Sequence, residues 1–178
     1  MPRVFLVKAI TPRKRMDQQG FIVSIMAALE KEGRVVKRMY EKTTRTWSRP
    51  RPVFKIEVKY GKPPGPQGGR ESRPASVDVF TESDKYRWVD EGTKRHWIAP
   101  KRAKMLRWRT GGKPKTKPRV IGSTKGARGS GPWASSKGHW HPGTKPREFS
   151  KEIMKRRKSA FHKNMAKAIR EATKRHAW

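Results

Sequence analysis

Hydrophobic positions change period along this chain. Residues 3–10 alternate in part, which predicts a short strand. Thr11-Pro12 carries the signature of a helix start, with threonine as cap and proline at the first helical position. Phe21, Ile22, Ile25, Met26 and Leu29 then recur at spacings of three and four, so they share one helical face. Gly33 shifts the phase of this stripe and is expected to kink or end the helix. Residues 34–40, with Val35, Val36, Met39 and Tyr40, read as either more helix or a strand.

Period two takes over at "FKIEVKY" (54–60), where Phe54, Ile56, Val58 and Tyr60 alternate with Lys55, Glu57 and Lys59. That is the pattern of a half-buried antiparallel strand. "ASVDVFT" (75–81) predicts its neighbour, with Ala75, Val77 and Val79 on one side. The Pro/Gly stretch 61–74 between them is too long for a tight hairpin and is expected to be a mobile loop. "KYRWVDEG" (85–92) predicts a third strand, ending at Gly92. Residues 109–147 are poor in apolar side chains, with the pair Val120-Ile121 as their one strand candidate. Such a composition is expected to stay disordered alone, because it buries too little surface to offset chain entropy. Phe149, Ile153, Met154, Phe161, Met165, Ala168, Ile169 and Ala172 restore the helical period and predict a closing helix over 146–175. Pro146 is expected near its first turn, where Glu148 is electrostatically favourable. The fold class expected is α+β: one domain over 1–178, a small antiparallel sheet packed by an N-terminal and a long C-terminal helix, with a basic projecting loop over 93–147.

Charge alters this picture. The 178 residues hold 46 Lys/Arg against 14 Asp/Glu, a formal net charge of +32. The excess is uneven: residues 93–178 carry 26 basic and 3 acidic side chains, and from Gly92 to Arg147 there are 16 basic residues and no acid. A compact monomer so charged repels itself, and an acidic or polyanionic partner relieves that repulsion. Cysteine is absent, which excludes disulfides and thiolate metal sites. No window approaches the 18 apolar residues of a membrane span, and the N-terminal apolar run is too short for a secretory signal, so no membrane role is expected.

Candidate chemistry is sparse. His139 and His141 stand two apart, a spacing that reaches a metal on an extended strand, yet no cysteine or acid nearby completes a shell. The neutral reading is a loop, and neither a metal nor a cofactor is expected. Asp90 and Glu91, on a strand, point to opposite faces and so do not form a catalytic pair; ion pairing with surrounding Lys/Arg is the alternative. No phosphate-cradling glycine motif follows a strand. No enzymatic activity is expected. The basic closing helix has the composition of a membrane-surface helix, but packing on the sheet is the use its narrow apolar face favours. The strongest signal is the interleaving of cations with tryptophans in the 93–147 arm. Candidate contacts there are Arg95, Trp97, Lys101, Arg102, Lys104, Arg107, Trp108, Arg109, Lys113, Lys115, Lys117, Arg119, Trp133 and Trp140. Lysine and arginine release counterions from phosphate, and exposed indoles stack on unpaired bases. Alternatively, the indoles anchor the arm on a neighbouring subunit.

Motif order adds a resemblance. "YRWVDEGT" is followed by "IAPKRAKMLRW", then by a loop, "HPGTKPREF" and the closing helix. This order resembles the minor tail, neck and tail-completion proteins of long-tailed bacteriophages and prophages, best over residues 85–175. The resemblance implies a small α+β structural protein of the virion, present in the host cytoplasm during assembly. It further implies a homo-oligomeric ring where head and tail join, contacting copies of itself and other tail or neck proteins. The loop before His141 is longer and more basic than such proteins usually need, which points either to DNA contact or to an acidic ring neighbour. The same features also suit a ribosomal or nucleoid nucleic-acid binder.

Overall fold

The computed structural model describes residues 5–7, 17–59, 75–122 and 126–177. The expected Thr11 cap and the 61–74 loop lie outside them. The chain is α+β, and among the described residues every strand pair is antiparallel. The described residues divide into two compact units: those within 1–39, 54–81 and 153–178 form one, and those within 40–53 and 82–152 the other.

In the first unit, β1 (Phe5–Val7), β2 (Lys55–Lys59) and β3 (Ala75–Phe80) form a sheet in the order β1-β3-β2. Val58 stands opposite Val77 and Ile56 opposite Val79, so the alternating strands share an apolar face. Helix α1 (Gln18–Thr44) runs on through Gly33, so residues 34–40 are helical and the glycine does not end it. The reason is packing. A Cβ on Gly33 would stand 2.7 Å from Val77 Cγ2 and 2.9 Å from Ile56 Cγ2. Glycine's helix penalty of about 1 kcal/mol is accepted here for a close approach of helix to sheet.

Helix α3 (Phe149–His176) starts three residues later than the sequence pattern implies, leaving Pro146 outside it. Its stripe is buried as expected at Phe149, Ile153, Phe161, Met165 and Ala172. Within the first unit α1 and α3 run antiparallel and are tied at two points. Asp17 caps α1 by accepting from Gly20 N–H at 3.0 Å, and its other carboxylate oxygen lies 3.3 Å from His176 Nδ1. Further along, buried Glu32 accepts from Arg157 and, at 2.7 Å, from Asn164 Nδ2.

In the second unit the expected third strand is instead a helix, α2 (Asp84–Glu91). Ser83 caps it by accepting from Tyr86 N–H, and Gly92 ends it with φ +82°. Helical spacing puts Tyr86 and Asp90 on the buried side together. Tyr86 rests edge-on to Tyr40 and tilted against Trp47 and Phe149, with centroids 6.0–6.2 Å apart, and these rings are the core of the unit.

Candidate functional site: a clasped basic ribbon

The segment expected to lack structure of its own is a pair of two-stranded ribbons. One pairs β4 (His96–Ile98) with β7 (His139–His141), and the other pairs β5 (Leu106–Arg109) with β6 (Trp133–Ser136). Val120-Ile121 is not a strand; Val120 N–H closes a turn onto the Lys117 carbonyl instead. Alternation, too short in each piece to stand out in sequence, becomes clear once the strands are paired. Ile98, Leu106, Ala134, Ser136, His139 and His141 are half-buried, while Trp97, Arg107, Arg109, Trp133 and Trp140 face outward. Trp108, partly exposed, stacks tilted on His139 at 4.9 Å, which brings a residue of each ribbon together.

The base of the ribbons is a clasp. Thr93 N–H donates to the Thr144 carbonyl at 3.0 Å, and Thr144 N–H donates to Thr93 through the carbonyl (3.2 Å) and the hydroxyl (2.9 Å). Both flanking glycines have positive φ, +82° at Gly92 and +93° at Gly143. A Cβ on Gly92 would stand 2.6 Å from the Thr144 carbonyl oxygen, and one on Gly143 2.1 Å from that of Thr93. Below the clasp, two helix ends satisfy each other. The last carbonyls of α2, at Val89 and Asp90, accept from the N–H groups of Arg147 and Glu148. The Asp90 carboxylate accepts in return from Ser150 N–H at 3.2 Å and from the Ser150 hydroxyl. An α-helix leaves its first N–H and last C=O groups without internal partners, so the segment leading into α3 supplies donors for α2 and the Asp90 side chain supplies an acceptor for α3.

Asp90 is therefore a buried tether rather than a surface ion-pairing group. A strand reading of residues 85–92 conceals this, although Ser83, Asp84 and Gly92 mark a helix start and stop in the sequence. Burial, reinforced by the Asp90 carboxylate, holds the phenol of Tyr86 well above its ordinary range. Tyr40 is raised for the same first reason. Both phenols stay protonated beside the carboxylate. Glu148 accepts from Arg119 at 2.8 Å and Lys151 at 3.0 Å, and these bonds hold its carboxyl below the usual carboxylate range.

The candidate contact residues separate into groups. Trp97 and Trp140 are cross-strand partners packed edge to face at 5.6 Å, and the Arg95 guanidinium lies over the Trp140 ring at 4.9 Å. Arg109 pairs with Trp133 across the second ribbon and covers its ring at 5.1 Å. Arg107 stands two residues from Arg109 on the same side of β5. Lys101, Arg102 and Lys104 occupy the exposed bend between β4 and β5. Lys113 bridges to Ala127, Lys115 and Lys117 follow as exposed side chains, and Arg119 is taken up by Glu148.

His139 and His141 lie on a strand rather than in a loop. His141 Nδ1 accepts from Gly143 N–H at 3.1 Å, which places the ring proton of the neutral imidazole on Nε2 and leaves no lone pair there for a metal. His96, its cross-strand partner, donates from Nδ1 to the Lys94 carbonyl at 2.8 Å. Among the described residues no group of three or more His, Cys, Asp or Glu is placed to hold a metal ion. Among them, too, no helix is long and apolar enough to cross a membrane. Comparison with protein-family models, with curated proteins and with solved structures finds no match for this chain.

Proposed function

We propose that this chain is a structural protein of a long-tailed bacteriophage or prophage particle. It acts in the neck or tail, as a ring of copies that completes the tail or joins it to the head. One observation carries the reading. The motifs behind the resemblance, Val-Asp-Glu-Gly-Thr and His-Pro-Gly-Thr-Lys-Pro-Arg-Glu-Phe, meet in a single clasp, Thr93 bonding Thr144 and the Asp90 carbonyl accepting from Arg147 and Glu148. Their order along the chain thus corresponds to one device, a clasp that closes the base of the basic ribbons. A ribbon with exposed side chains and fastened ends suits assembly, because it offers contacts to a neighbouring subunit without disturbing the core. The role is structural rather than catalytic.

Electron microscopy of particles made without the protein tests this. Filled heads beside unattached tails are expected, with the purified chain restoring the junction. Normal particles in its absence, together with recovery of the protein on ribosomes or the nucleoid, would reverse the assignment.

A further inference from the structure

The virion reading leaves the ribbon's partner open. We propose that the outward faces of the two ribbons bind duplex DNA through its phosphates, without reading base sequence. The proposal concerns the isolated chain and does not depend on the virion reading.

Three observations carry it. First, the sign of charge is uniform: 16 basic residues and no acid lie between Gly92 and Arg147, and Arg119 is the one arm cation with an ion-pair partner among the described residues. Second, the exposed indoles are already engaged. Trp140 has Arg95 on its face and Trp97 at its edge, Trp133 has Arg109, and Trp108 has His139. Trp133 and Trp140 stay 62% and 55% exposed, so an unpaired base would compete with a guanidinium for one face of each ring and not for the other. A guanidinium stacked on an indole, by contrast, is held in plane with its N–H edge outward, the geometry that grips phosphate. The arrangement therefore favours phosphate contact, which a duplex offers along both of its strands. Third, a two-stranded antiparallel ribbon is of a size that the major groove of B-DNA admits. An acidic protein surface fits less well. The centre of a protein interface is depleted in charge, whereas here a guanidinium lies over the exposed rings of both Trp133 and Trp140 and the surrounding arm carries no acid.

Fluorescence anisotropy with a labelled 30-base-pair duplex, and with a single strand of the same length, tests the proposal from about 50 to 300 mM salt. The duplex is expected to bind with log K falling against log salt at a slope of about −4, near −0.9 for each phosphate neutralised. The triple variant Arg95→Ala/Arg107→Ala/Arg109→Ala is expected to flatten that slope by about 2 to 3 and to weaken binding at 100 mM salt by at least about tenfold. Its melting temperature serves as the folding control. Should it unfold, Lys101→Ala/Arg102→Ala/Lys104→Ala, whose residues lie outside every ladder, takes its place with the same expectation. The proposal is overturned if neither variant alters duplex binding, or if Lys155→Ala/Lys163→Ala/Arg170→Ala on α3 abolishes binding while the ribbon variants keep it. Single-strand binding tenfold tighter than duplex binding would also overturn it. So would polyglutamate displacing the duplex at equal charge concentration, which would make an acidic protein the partner.

Discussion

The carboxylate of Asp90 accepts hydrogen bonds from both the backbone N–H and the hydroxyl of Ser150, sixty residues later in the chain. One side chain thus fastens the end of a short helix to the start of a long one. Removing it in Asp90→Ala leaves a helix N-terminal N–H without its partner and an empty space beside two buried phenols. A loss of about 2–3 kcal/mol is expected. Asp90→Asn, which keeps one acceptor, is expected to lose about half as much. Urea denaturation followed by circular dichroism measures both, and equal losses would show that the carboxylate's second oxygen contributes nothing.

The buried pair of Glu32 and Arg157 predicts non-additivity. Their side chains are 6% and 18% exposed, so deleting either leaves a charge short of water and without its counterion. Arg157→Ala is expected to destabilise by about 3 kcal/mol. The double variant Glu32→Ala/Arg157→Ala is expected to lose clearly less than the two single losses added together. Additive losses in that cycle would mean the two groups do not interact in solution.

Gly92 and Gly143 are expected to be irreplaceable at the ribbon base. Each has positive φ, and a Cβ on either would run into the backbone oxygen of the opposite strand. Alanine at either site is expected to cost about 1–3 kcal/mol. At Gly122, where φ is +125° but no atom lies within 4 Å, only the backbone strain applies. Hydrogen exchange at the Thr93 and Thr144 amides reports the difference directly: fast exchange in the first two variants, near-native protection in the third.

Acid is expected to loosen the attachment of Arg119. Hydrogen bonds from Arg119 and Lys151 lower the Glu148 pKa in the folded chain from its ordinary 4.5. Stability from this group is therefore fully present above that ordinary value and disappears as pH falls through the depressed one. Glu148→Gln should remove that part of the acid sensitivity and leave melting temperatures near neutrality only slightly changed, the contacts being at the surface. Parallel melting curves of wild type and variant down to pH 3 would argue against the linkage.

Trypsin offers a further test, because cleavage requires local opening. Lys101, Arg102 and Lys104 sit in an exposed bend, whereas Arg107 and Arg109 are held in the β5-β6 ladder. First cuts are expected in the bend, with the two ladder sites cut much later. Simultaneous cutting at all five would indicate that the ribbons do not hold together in the free chain.

How much of this was legible from the sequence varies by element. Period 3.6 marked α3 and the first half of α1, and period two marked β2 and β3. In those elements a long run of side chains must face one core, so the pattern repeats often enough to be read. The sequence alone also determined the charge asymmetry, the acid-free arm and the cation–tryptophan interleaving, which depend on composition. Tertiary structure decided the rest. Gly33 looks like a helix breaker until the sheet that needs its missing Cβ is in place. Residues 85–92 pass for a short strand when the cap signals at Ser83 and Gly92 are overlooked, and burial of Tyr86 and Asp90 on one side shows them as helix. The arm's strands, three or four residues each, are too short to show a period and draw their stability from partners up to 45 residues away, such as Trp97 and Trp140 facing each other. Local pattern records which face of an element is buried; which distant residue it is buried against depends on contacts that no single stretch of sequence contains.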